Sequence, residues 1–487
     1  MASRARTGQA RLSVIALAAI WSSASGIEVG SPILVSHTPS GDPSVGLCST
    51  PVLSATGRFT SFSCMAIDVI PGEPGVGDAL LHDGETGLIV GLSYTDQGQW
   101  GHCGGAELGT CTSRAVDIAI DGGAAVLNSG APLTADAPQP TPDGGWPQIY
   151  LRDIVHQTTE WLTPPVFVPF RTALARDASL QRREVLYSTK ANETGALDTN
   201  GPFMHDLFVK NWETGVVELI SASPLDQQGD GMSSLAGFSP DGRYVVFQSN
   251  AANLTDDNPQ RLYNLFLRDR MLGTTRRLTF PFSGGEFSSQ PSFSSNLHIT
   301  ADNRHVQFAA GGSEFTEDSD PAVPLAVYEI DLQTGQIDLI SRGVNATPLN
   351  ASAFGAAFSA DGRYMAFETA ATNVSEDPGA LPGVFVRDRL TGETVNVSAA
   401  LGTPPHTLPG QVALSADGST VAFSWPRWNA TFPTLLDNQQ VYKVRLREDR
   451  PPLEAVALPA ASRVGLVLLV LLLSMAALLS AKTTRWR

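Results

Sequence analysis

Cysteine is scarce in this chain and confined to one place: Cys48, Cys64, Cys103 and Cys111, the four it has, all fall in the first quarter of 487 residues. No two form a Cys-x-x-Cys pair, the spacing on which many structural zinc sites are built. Catalytic signatures are missing too. There is no Gly-x-Ser-x-Gly elbow, no His-Glu-x-x-His and no phosphate-binding Gly-Lys-Ser/Thr loop, which sets aside the α/β-hydrolase, zincin and P-loop classes. The eight histidines are scattered. Only His298 and His305 invite a metal, and a solvent-facing cross-strand pair is the plainer expectation for them. Long amphipathic helical patterns are absent between the two ends, while 45 glycines and 33 prolines punctuate the chain. What remains is an all-β chain with many turns.

Positive charge is also short. Setting aside residues 1–26 and 459–487, which carry seven basic residues and no acidic ones, leaves 25 basic against 48 acidic side chains. A body so acidic repels phosphate backbones, which argues against nucleic acid as a partner. Much of that acidity serves solubility.

A repeat is what the sequence does have. Gly237-Phe238-Ser239-Pro240-Asp241-Gly242-Arg243-Tyr244-Val245-Val246-Phe247 returns as Ala357-Phe358-Ser359-Ala360-Asp361-Gly362-Arg363-Tyr364-Met365-Ala366-Phe367. Each copy reads as two strands joined by an Asp-Gly turn. A third strand follows, Leu262 to Arg268 in one copy and Gly383 to Arg387 in the other, and then a fourth. A four-stranded meander cannot bury both faces alone, so such units stack on their neighbours. Seven first hairpins turn at Thr56-Gly57, Asp121-Gly122, Leu180-Gln181-Arg182, Asp241-Gly242, Asp302-Asn303, Asp361-Gly362 and Asp417-Gly418. The seventh unit lacks a fourth strand, and Ile33-Leu34-Val35-Ser36 is a fourth strand without a unit. The expectation is a seven-bladed β-propeller over residues 31–446, closed by its N-terminal strand beside residues 440–446; six or eight blades are the alternatives. If the first hairpin turns at Ala55-Thr56-Gly57, Cys48 stands opposite Cys64 at disulfide distance, leaving Cys103 to pair with Cys111.

The two ends read differently from the body. Arg4, Arg6 and Arg11 precede an apolar run from Leu12 to Trp21 and then small residues to Gly26, the layout of a secretory signal peptide over residues 1–26. After a charged, proline-rich linker over residues 447–458, Val464 to Ala481 is an almost unbroken apolar run followed by Lys482, Arg485 and Arg487. That is a single C-terminal transmembrane helix with its basic end inside the cell.

Asp241-Gly242-Arg243, Asp361-Gly362-Arg363 and Phe385-Val386-Arg387-Asp388 resemble TolB-type β-propeller repeats, a guide to fold and a poor one to activity. Residues 459–487, from Pro459-Ala460-Ala461-Ser462 to the basic end, resemble an IPTL-CTERM or PEP-CTERM sorting tail. That resemblance implies an exosortase-type processing enzyme as a partner, in a bacterial envelope.

Loop length places the candidate site. Connections between strands one and two are tight, whereas those between strands two and three are long and varied, so loop diversity gathers on one rim. Those loops are rich in oxygen: Asp198 and Asn200; Asp256, Asp257 and Asn258; Glu317, Asp318 and Asp320; Glu376 and Asp377. They are candidates for binding, and Ca²⁺ is a cofactor such groups could hold, though polar turns tying down backbone account for them as well. Asn253-Leu254-Thr255 and Asn373-Val374-Ser375 occupy matching repeat positions and read as turn chemistry. The function expected is a non-enzymatic binding or scaffold module, exported, anchored to the membrane and facing a protein or glycan partner. The alternative is a glycan hydrolase or lyase using two rim carboxylates.

Overall fold

The computed structural model describes residues 26–448 apart from 73–76, 102–111, 138–146, 164–173, 191–199, 202–203, 295–296, 313, 380, 403–410 and 427–438. The expected signal peptide, the apolar tail and the pairing of Cys103 with Cys111 lie outside the described residues. Among those described, no helix is long and apolar enough to cross a membrane.

Seven antiparallel sheets account for the body from Ile27 to Arg447. Blade one runs Cys48–Leu53, Phe59–Cys64, Asp78–Asp83, Ile89–Gly91. The fourth blade, Ser233–Phe238, Tyr244–Ser249, Asn264–Asp269 and Thr274–Arg277, and the sixth, Ala353–Phe358, Tyr364–Thr369, Gly383–Asp388 and Thr394–Asn396, are the two copies most alike in sequence. In blade seven, Val412–Leu414, Thr420–Pro426 and Gln439–Glu448 pair in order. The long last strand then bonds to the start of the chain: Ile33 pairs with Lys443, Leu34 with Tyr442, and the Val35 amide donates to the Val441 carbonyl at 2.8 Å. A second short strand, Ile27–Val29, not anticipated from the sequence, lies on the same edge.

The core is divided among the seams. Seven apolar clusters each join two adjacent blades; Phe238, Phe247 and Phe266 meet Leu186 and Leu207 at the seam of blades three and four, and Val441 meets Phe62, Leu80 and Val35 at that of seven and one. Burying both faces of each sheet this way is what a lone meander could not do.

Repeated polar ties explain the repeated motif. In blade four, Ser239 donates to Asp241, whose Oδ1 accepts the Arg243 amide at 3.0 Å, and Arg243 reaches Asp269 at the end of the third strand. Ser359, Asp361, Arg363 and Asp388 do the same in blade six. Gly242 has φ +74°, open to glycine at little cost, and a Cβ there would also strike Arg182 of blade three. Cys48 and Cys64 are cross-strand partners joined by a disulfide.

One local expectation needs correction. His298 pairs with Gln307 and His305 with Asp331, so the histidines are not cross-strand partners. His298 instead stacks on Phe358 of blade six, and burial lowers its pKa to about 4. The first strand of blade five is split into Ser292–Phe293 and His298–Ile299, both of which pair with His305–Gly311.

A candidate ligand site in the axial channel

The rim loops place the candidate oxygens apart and mostly in use. Asn258 is fully buried; its Nδ2 donates to the Ala251 and Leu262 carbonyls at 3.1 Å, and its Oδ1 accepts from Asn264. Asp257 accepts from Thr255 Oγ1. Asp318 pairs with Arg342 at 2.5 Å, Asp320 accepts the Ala322 amide at 2.8 Å, and Asp377 accepts the Gly379 amide at 3.3 Å. Asn200 Nδ2 donates to Asp206 and to the Gly229 carbonyl. Asp256, Glu317 and Glu376 are exposed, and Asp198 lies outside the described residues. Among the described residues no three His, Cys, Asp or Glu side chains gather around a point where an ion could sit. The repeated asparagines are turn ties: Asn253 accepts the Asp230 amide and donates to the Gln228 carbonyl, and Asn373 does the same to Asn350 and Pro348.

The concave site lies elsewhere, on the axis. First strands of six blades wall a cavity of about 330 Å³. Bulged residues line it: the register shifts at Ser49/Val52, Ala115/Asp117, Ala175/Asp177, Ser234/Ala236 and Phe354/Ala357 coincide with Thr50, Pro51, Val116, Arg176, Leu235 and Gly355 of the wall. Thr50 and Leu235, both in the wall, have φ of +52° and +31°, backbone that non-glycine residues hold only when their surroundings fix it. Gln411 of blade seven supplies one tie by accepting the Thr50 amide.

Arg114 and Arg176 carry the charge of this wall. Arg114 keeps solvent contact and Arg176 is half-buried. Burial lowers both pKa values, and the nearby Arg114 guanidinium lowers that of Arg176 further. Arg176 Nε donates to Ser188 Oγ at 3.1 Å. The carboxylates next to them in sequence turn into the wall. Asp117 accepts the Leu180 amide at 3.0 Å and Asp177 the Phe238 amide at 2.8 Å, each stitching its blade to the next. Burial raises both carboxyl pKa values, Asp177 to about 6. Val52, Val116, Leu235 and Val412 supply apolar surface. Among the described residues no Asp, Glu, His, Cys, Ser, Tyr or Lys side chain lines the cavity.

Sequence reasoning passed over both arginines. Ser113-Arg114-Ala115-Val116-Asp117 and Ala175-Arg176-Asp177 each set an arginine and an aspartate in a first strand whose other residues are small or apolar, and that contrast was the available signal.

Fold and cavity together define a seven-bladed β-propeller with an axial pocket. No family model matches the chain, and no curated protein matches it in sequence. In structure it is similar to an oligogalacturonate lyase in complex with manganese, at 11% identity and a TM-score of 0.50, over 87% of this chain and 96% of that one. It is also similar to the oligogalacturonate lyase of Vibrio parahaemolyticus, at 12% identity and a TM-score of 0.49, over 87% and 99% of the two chains. The Cps50 (Swd1) β-propeller domain of Myceliophteria thermophila aligns at 11% identity and a TM-score of 0.42, over 81% and 96%. At such identities the likeness concerns the fold.

Proposed function

We propose that this chain is a non-enzymatic binding propeller that takes a small ligand in its axial cavity. The observation that carries the reading is the make-up of that wall: concave, apolar and polar in about equal measure, with two arginines and, among the described residues, no pair able to pass a proton to and fro. In this reading the rim loops frame the mouth of the cavity, and the pairing of residues 33–35 with 441–443 supports a ring sealed by its own beginning. The leader over residues 1–26 and the apolar run over 464–481 support export and anchoring at a bacterial envelope, with an exosortase-type enzyme acting on the tail and a protein or glycan within reach of the body.

The test is a small-molecule screen by thermal shift on the wild type and on Val116→Trp, whose indole would fill the cavity. A ligand that raises the melting temperature of the wild type and not of the filled variant is the expected result. Turnover of a polysaccharide or peptide by the purified protein would overturn the reading.

A further inference from the structure

Most arginines among the described residues hold a carboxylate, while Arg152, Arg276 and Arg387 bond neutral oxygens. Arg58, Arg243, Arg304 and Arg363 each hold an aspartate of their own blade, and Arg270 and Arg389 hold Glu184 and Glu329 of the preceding blade. With 48 acidic residues against 32 basic ones, a carboxylate partner is easily found. Among the described residues Arg114 has neither a hydrogen-bond nor an ion-pair partner, and Arg176 uses only Nε, on neutral Ser188. Both stand in the wall of one pocket, near enough to repel. The carboxylates that could neutralise them, Asp117 and Asp177, are committed to backbone amides across the seams. Two like charges held together in a partly desolvated place are unfavourable until negative charge joins them.

Resting on the reading of the cavity as a ligand site, we propose that its ligand is a small organic anion whose carboxylate or phosphate oxygens are taken by Arg114 and Arg176. The guanidinium fork suits both oxyanions. Val52, Val116 and Leu235 then lie against the carbon frame, and a volume of about 330 Å³ suits a ligand on the scale of a single acidic sugar or a short-chain acid. The excess of acidic groups elsewhere on the body makes the cavity a place where anion binding is confined.

Titration calorimetry on the full chain with glucuronate, citrate, glucose 6-phosphate and neutral glucose tests this. At least one of the three anions binds and glucose does not; Arg114→Gln and Arg176→Gln each weaken that binding about tenfold or more. Arg276→Gln, whose guanidinium bonds the Leu332 carbonyl outside the cavity, leaves it unchanged. Melting temperatures of all variants verify folding. Glucuronate and citrate set against glucose 6-phosphate tell a carboxylate ligand from a phosphate one. The inference is overturned if none of the anions binds, if glucose binds as well as glucuronate, or if both arginine variants keep wild-type affinity. Binding of glucose that Val116→Trp abolishes would remove the charge preference and leave the cavity as the site. Anion binding that Val116→Trp does not touch would remove the cavity itself.

Discussion

Glu368 is the residue most out of keeping with its place. The corresponding positions on the second strands of blades one to four are Ser63, Asn128, Ser188 and Gln248, neutral groups, of which Ser63 and Asn128 bond to the first strand of the next blade. Glu368 is buried, has no hydrogen-bond or ion-pair partner among the described residues, and burial alone raises its pKa from 4.5 to about 7. A carboxyl whose folded pKa is raised costs nothing while protonated and destabilises as pH climbs from 4.5 through 7. Glu368→Gln should therefore stabilise the protein at pH 8, by at most about 3 kcal/mol, with the gain vanishing near pH 4.5; urea unfolding at the two pH values measures it. The site was legible at this scale only by comparing equivalent positions across blades. Motif searching sees Asp241-Gly242-Arg243 because most of its ties fall within its own blade, whereas Arg114, Arg176 and Glu368 carry no local pattern and are defined by what surrounds them.

At the scale of strands and seams, most of the architecture could be read. The turns at Thr56-Gly57, Asp241-Gly242, Asp302-Asn303 and Asp361-Gly362, the arginine after each of these and the aspartate ending the third strand form one recurring tie, so one copy predicts the others. The bulges could not be read, because each depends on how a first strand meets the blades beside it. Their residues line the cavity. The junction of blades one and seven offers two tests. His82 is buried beside Lys443 and His37, and burial lowers its pKa to about 4. Its neutral form contributes stability above pH 6.5 that is lost as pH falls from 6.5 toward 4. Amide exchange at Val35 and in strand 439–448 should accelerate over that interval, relative to exchange in blade four. The bridge between Cys48 and Cys64 restrains the first hairpin of the same junction. Cys48→Ser with Cys64→Ser should lower stability by about 2–4 kcal/mol, read from unfolding midpoints under non-reducing conditions.

For the whole molecule, seven seams of similar composition replace a single core. Removing residues 27–36 would strip the last strand of its partners on one edge and expose a run of backbone amides and carbonyls together with Val441 and Leu80. The expected outcome is a lower melting temperature and self-association on size-exclusion chromatography; an unchanged monomer would show that the edge strand is dispensable. Blade number followed from counting turns, since repetition survives divergence. The charge inversion between surface and axis did not, because net charge averages over what the fold sorts.

The first and last strands of this body share one sheet, with Leu34 bonded beside Tyr442. The segment made earliest must stay available until nearly everything else has been synthesised, and if the chain is threaded across a membrane, until nearly all of it has crossed. Assembly therefore proofreads length: a product broken off anywhere before its final strand has no way to satisfy its own opening residues, and is marked out for proteolysis by that unmet need.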